Sequence, residues 1–132
     1  MSVQIHRMQG DSRDLYLALG PFWGRTDIER ELGGPLRNSP DKLWFVAVES
    51  SRAVGFVGLH REARGAILTH LYVVPERRGQ GICDALLGAW LEVAGDDPAH
   101  VVANESSLPL LTARGFTEVR RRGRFHVLER RP

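Results

Sequence analysis

The chain has 132 residues, 42% hydrophobic and 26% charged, with 18 basic and 16 acidic side chains and a formal net charge of +2. This suits a single domain, 1–132, of ordinary globular composition, with no apolar run near the roughly 18–20 residues of a membrane helix. Cys83 is alone, so no internal disulfide forms; with a polar start lacking a signal-peptide core, that predicts a cytoplasmic protein without a membrane partner.

Residues 3–8 alternate apolar and polar and predict a half-buried opening strand. Asp11 or Ser12 is placed to cap a first helix through Leu15 and Leu19, which Gly20-Pro21 breaks. Phe22 and Trp23 precede a second helix carrying Ile28, Glu31 and Leu32, with Thr26 or Asp27 as its cap and Gly33-Gly34-Pro35 as its stop. The Phe22-Trp23 pair reads either as exposed or as a hydrophobic staple on the second helix. Residues 43–49 form a rich strand, and a tight connection at Ser50-Ser51-Arg52 leads to its hairpin partner, 53–60. Gly55 and Gly58 there suggest bulges or close backbone approach.

After a turn at 62–65, residues 66–74 form a third antiparallel strand that Pro75 stops. A short basic loop follows, in which Gly79 and Gly81 permit backbone angles and close approaches that side chains forbid. From Ile82, the apolar positions Ile82, Leu86, Leu87, Trp90 and Leu91 mark one helical stripe, and Gly95 is its stop. A helix beginning at such a loop offers unpaired N–H groups to a phosphate. Beyond the break at Asp96-Asp97-Pro98, residues 101–104 form a short strand parallel to the one ending at Val74. Residues 108–114 form a short helix stopped by Gly115. Residues 116–119 and 124–128 close the chain as a hairpin. Arg120, Arg121, Arg122, Arg124, Arg130 and Arg131 concentrate basic charge there, as a solvated outer face or a nucleic-acid patch.

Arg78-Gly79-Gln80-Gly81-Ile82-Cys83 resembles the acyl-CoA loop of the GNAT N-acetyltransferase superfamily, Gln/Arg-x-x-Gly-x-Gly/Ala, with Cys83 in place of the final small residue. The preceding Leu71-Tyr72-Val73-Val74-Pro75, the following Ala85-Leu86-Leu87 and the later Gly115-Phe116 are similar to that family too. The spacing is neither a Walker loop nor a dinucleotide fingerprint. The resemblance covers nearly the whole chain and is weakest over 9–42. It implies an α/β fold of about seven strands in a central mixed sheet, helices on both faces, in the order βααβββαβαββ.

It also implies an acetyl-CoA-dependent transfer of an acetyl group directly to a primary amine, with no metal. By resemblance the pantetheine arm lies where two parallel strands splay after a bulge near Leu71-Tyr72-Val73, with Leu71, Tyr72, Val73 and Val74 along the cofactor, and the Val73 N–H faces the thioester carbonyl. Arg78, Gly79, Gln80, Gly81, Ile82 and Cys83 hold the pyrophosphate end, Asn104 holds backbone or pantetheine, and Phe22 and Trp23 stand on the acceptor wall. Arg78 alternatively pairs with Glu76 or Asp84. Ile67 and Thr69 stand where the family often places a base, and neither can serve. His70 or Glu105 is then the base, with Glu49, His60 and Glu62 as further alternatives. Leu111 stands where the family often has an acid Tyr, leaving Ser107, Ser106 or Thr112 as weak substitutes. Small amines, peptides and nucleic-acid amines all remain open as acceptors, as does a homodimer. A non-catalytic acyl-CoA sensor is the rival reading, and a nucleic-acid-binding protein the third.

Overall fold

The computed structural model describes residues 2–131, folded as a seven-stranded sheet in the order β1–β2–β3–β4–β5–β7–β6. The strands are β1 Gln4–Gln9, β2 Leu43–Glu49, β3 Arg52–Glu62, β4 Gly65–Val73, β5 Ala99–Ala103, β6 Thr117–Arg122 and β7 Phe125–Arg130. The helices are α1 Arg13–Leu19, α2 Thr26–Leu32, α3 Ile82–Ala94 and α4 Leu108–Ala113, so the expected order βααβββαβαββ is realised. Short 3₁₀ turns lie at Gly20–Phe22, Pro75–Arg77 and Glu105–Ser107.

Two apolar layers sandwich the sheet. The α1 and α2 side chains Leu15, Leu19 and Ile28 pack with Phe22, Trp44, Val46, Phe56 and Tyr72 on one face. On the other, Leu86, Leu87 and Trp90 of α3 and Leu111 of α4 pack with Phe45, Val57, Leu68, Val73 and Val101. Residues of one strand divide between the two layers because successive side chains point to opposite faces.

Local chemistry explains most element ends. Ser12 caps α1, its Oγ accepting from the Leu15 N–H at 3.2 Å. At α2 the predicted cap is corrected: Arg25 takes the cap position, without a side-chain cap bond. Asp27 is instead drawn into an ion pair with the Arg25 guanidinium at 2.6 Å. Gly33 ends α2 at φ 86, the left-handed conformation that favours glycine. The β2–β3 connection is a two-residue turn in which Ser50 and Ser51 both take positive φ, the primed geometry matching the strand twist.

The C-terminal hairpin is asymmetric. Edge strand β6 is exposed throughout, so Arg120, Arg121 and Arg122 lie on a solvated strand. The His126 side chain on β7 is buried, with Nε2 2.6 Å from Glu105 and Nδ1 2.5 Å from Glu118. Bonding to Glu105 first, and to Glu118, raises the His126 pKa above its ordinary value. A raised histidine pKa gives stability that is complete below the unfolded value and is lost as pH rises through the folded one. The denaturation midpoint of the protein is therefore expected to fall above about pH 6.5 relative to that of His126→Gln. Parallel pH profiles for the two would remove His126 from the account.

Candidate active site

The third strand, β4, is where regular structure breaks. Phe56 pairs with Tyr72 and Gly58 with Thr69, so β4 carries one residue more than β3 across this stretch. That extra residue is a bulge at His70, whose φ is 55. It resets the alternation: Leu68, Leu71 and Val73 all join the layer under α3, while the His70 ring turns to the other face and stacks on Trp44 at 5.8 Å. Gly58 is required opposite, since a Cβ there would lie 2.5 Å from Thr69 Oγ1.

The parallel β4–β5 ladder runs only from Ala66–Ala99 to Leu68–Val101. Beyond it the two strands separate, leaving the second half of β4 without a neighbour on that side. Val74 N donates to Val54 O at 2.9 Å, which makes 54 and 74 a hydrogen-bonded pair. The adjacent pair, Gly55 and Val73, is then non-hydrogen-bonded, and the Val73 N–H and C=O point away from β3 towards the gap.

A cavity of about 420 Å³ opens from this gap, lined by Leu71, Tyr72 and Val73 of β4, by Arg78, Gly79, Gly81, Ile82 and Cys83 beyond it, and by Glu31 and Ser107 across it. That volume lies in the range of small-molecule sites. Gly79 and Gly81 stand at φ 78 and 84, and a Cβ on either would meet nothing within 4 Å, so they shape a loop with open space before it. Gly81 caps the 13-residue α3 without any side-chain bond, which leaves the first-turn N–H groups for a ligand. A smaller pocket in the splay itself is lined by His70, Leu71, Asn104, Ser107 and Leu111.

Other anticipated residues sit differently. Gln80 is exposed and does not line the cavity, and Val74 lines a separate groove near α1. Phe22 is buried, not exposed: it packs on Phe56 at 5.3 Å and Tyr72 at 6.2 Å. Trp23 is half-buried with its edge on Trp44 at 6.4 Å, and neither aromatic lines the cavity along β4. Arg78 pairs with neither Glu76 nor Asp84. Its Nε donates to Val73 O at 2.8 Å and its Nη2 to both Glu31 oxygens at 2.9 and 3.0 Å. Asp84 is taken by Arg114 at 2.9 Å.

His70 Nε2 accepts from the Arg37 N–H at 3.3 Å, which puts the ring proton on Nδ1. Burial first, and then the cations Lys42 and Arg37, push its pKa down to about 3. Glu105 lines neither cavity, because it is turned to His126. Asn104 Oδ1 accepts from Ser106 Oγ, Ser107 N and Ser107 Oγ, capping the turn after β5, while its Nδ2 reaches Glu31 O at 3.3 Å. Leu111 is fully buried. Burial, and then Asp84, push the Cys83 thiol up to about 11, so it is no thiolate nucleophile. Among cavity residues, Glu31 was not singled out from the sequence as a site residue. Its signal was there: a carboxylate between Ile28 and Leu32 on the helix face that carries the apolar stripe.

A family model described as Acetyltransferase (GNAT) domain matches residues 40–118, more than half of the chain. No curated protein matches by sequence. Among solved structures, an acyl-CoA N-acyltransferase from Pseudomonas aeruginosa is similar at TM-score 0.75 and 15% identity, over 98% of this chain and 99% of that one. Escherichia coli ElaA is similar at TM-score 0.72 and 15% identity, again over 98% and 99%. The PaiA N-acetyltransferase of Thermoplasma acidophilum, solved in complex with coenzyme A, is similar at TM-score 0.70 and 15% identity over the whole of both chains. At such identity these likenesses speak to the fold, and the family match speaks to the residues. The splayed strand pair, the glycine loop before α3 and the match across 40–118 together make this chain a member of the GNAT family, and so an acyltransferase.

Proposed function

We propose that the protein is an acetyl-CoA-dependent N-acetyltransferase moving an acetyl group directly to a primary amine. The observation that carries this is the Val73 N–H, aimed into the gap where β4 leaves β5, at one end of a cavity whose other end is the Gly79–Gly81 loop. The residues present fit the co-substrate: open glycines, uncapped N–H groups at α3 and a free strand edge are what a pyrophosphate followed by an amide-bearing arm requires. Acetyl-CoA supplies the activated thioester. The backbone of Gly79, Gly81 and Ile82 holds phosphate, and the unpaired edge of β4 at Leu71 orients the arm. The Val73 N–H then donates to the carbonyl oxygen as negative charge builds on it.

Proton handling falls to few groups. The Ser107 hydroxyl lines both cavities and, released from Asn104, can donate to a leaving thiolate. A coenzyme thiol is weakly basic, so water also serves, and the proton that the ammonium gives up before the C–N bond forms and the C–S bond breaks passes to water. His70 holds the bulge rather than taking a proton, because its free lone pair is engaged and its pKa of about 3 makes it a poor base at neutral pH. Replacing His70 by Gln is accordingly expected to cost less than about tenfold in kcat and to leave the shape of the pH–rate profile unchanged. A loss of about 100-fold or more, with the disappearance of an inflection, would restore His70 as the base.

The non-catalytic sensor keeps one specific point in its favour, the buried Leu111 where a proton donor is often found in the family. Calorimetry with acetyl-CoA, followed by thiol release over a panel of amines, peptides and nucleic acids, separates the two. Binding with release on one acceptor class is expected. Binding without release from any acceptor would favour the sensor, and no binding would sink both.

A further inference from the structure

The Arg78 guanidinium lies in a setting that reads as a site for a cation. Its Nη2 reaches both oxygens of Glu31, its Nε donates to the Val73 carbonyl, and its carbon stands 5.3 Å from the centre of the Tyr72 ring. A carboxylate, a backbone carbonyl and an aromatic face converging on one positive group are three complementary means of holding an organic cation. The same Val73 whose carbonyl takes part presents its N–H to the neighbouring gap. Glu31 therefore stands within one guanidinium and two hydrogen bonds of the point where the carbonyl to be attacked would lie.

The backbone that carries the carboxylate is held in place. Asn104 Nδ2 donates to the Glu31 carbonyl at 3.3 Å, and Arg124 donates to the carbonyl of the preceding residue, Arg30. The Phe125 ring abuts Gly33, where a Cβ would lie 2.8 Å from it. The last turn of α2 is thus held by the loop after β5 and by the tip of the C-terminal hairpin. The cavity's other acidic residue, Asp84, is neutralised by Arg114.

We infer that Glu31, the Val73 carbonyl and the Tyr72 ring form the acceptor's ammonium site, and that Arg78 occupies it as an internal stand-in for the substrate. The acceptor class is then a primary amine that arrives as a cation. Its binding requires Arg78 to move away, which phosphates at the adjacent loop would draw it to do. The functional meaning rests on the transferase reading, while the site itself does not. Cofactor and acceptor then bind in order, through one arginine exchanging its anionic partner.

The test uses n-butylammonium chloride as probe, titrated by NMR into the wild type, Arg78→Met and Arg78→Met/Glu31→Gln, with circular dichroism as the control on folding. Arg78→Met is expected to bind the probe about tenfold or more tighter than the wild type, and Glu31→Gln to abolish the gain. Wild type saturated with coenzyme A is expected to show a gain of the same order. No gain in Arg78→Met, or a gain that survives Glu31→Gln, overturns the cation site. A gain in Arg78→Met with none in the coenzyme-saturated wild type overturns the displacement of Arg78. Failure of coenzyme A to bind the wild type, with the Arg78→Met gain intact, overturns the transferase reading and leaves the cation site standing.

Discussion

Replacing Gly81 by Trp is expected to weaken coenzyme A binding by about 100-fold or more while the protein stays folded. Two effects separate at this position. Any L-residue at φ 84 is strained, at about 1–2 kcal/mol, which lowers the melting temperature by roughly 3–10 °C for a chain of this size. Bulk is a different matter, since a Cβ at Gly81 meets nothing within 4 Å and an indole there projects into the open mouth of the cavity. Gly81→Ala carries the strain without the bulk. It should match the Trp variant in melting temperature and lose far less affinity. Should Gly81→Trp bind coenzyme A as the wild type does, the loop before α3 is not the phosphate site.

Trp90→Ala is expected to destabilise the protein by about 4 kcal/mol, the usual cost of emptying a large buried aromatic site, out of the roughly 5–15 kcal/mol available to a domain. The Trp90 side chain is fully buried, and its Nε1–H donates to the Gly58 carbonyl at 3.0 Å. Truncation therefore leaves a cavity and a buried carbonyl without its donor. Trp90→Phe keeps most of the ring and loses the bond, and should cost about 1–3 kcal/mol. Because Gly58 lies opposite the β4 bulge, the Phe variant also reports on the site: loosening there should show as weakened coenzyme binding. Urea denaturation reads the stabilities, and a loss below about 1.5 kcal/mol in the Ala variant would mean that the core around α3 repacks.

Periodicity and punctuation were enough for the order of elements, because each strand and helix is written locally. Pro75 stops β4, Gly33 and Gly95 end helices, and Ile82, Leu86, Leu87 and Trp90 mark the buried face of α3. The parallel pairing of β4 with β5 also follows from a helix crossing between them. What stayed hidden was set by partners distant in sequence. Arg78 is claimed by Glu31, 47 residues earlier, rather than by its near neighbours Glu76 and Asp84. Glu105 is claimed by His126, 21 residues later, and that ring is shared with Glu118. Phe22 has the look of a surface aromatic beside Pro21 and Trp23, yet the chain folds it onto Phe56 and Tyr72. The bulge expected near residues 71–73 falls just before them, at His70, whose positive φ on a non-glycine residue has no sequence signature.

The three-residue ladder between β4 and β5 has a mechanical consequence. Strands β1 to β4 form one plate of the sheet and β5, β7 and β6 another, and only the short stretch from Ala66–Ala99 to Leu68–Val101 stitches them edge to edge. At the open end no ladder bonds cross the seam, so the plates can tilt apart there without breaking any. Such a hinge motion leaves the ladders within each plate untouched. The protein can thus widen its cleft without breaking a ladder bond, with the stitched end as the hinge, and the cost falls on the bonds from Asn104 and Arg124 to α2 and on the core shared under α3.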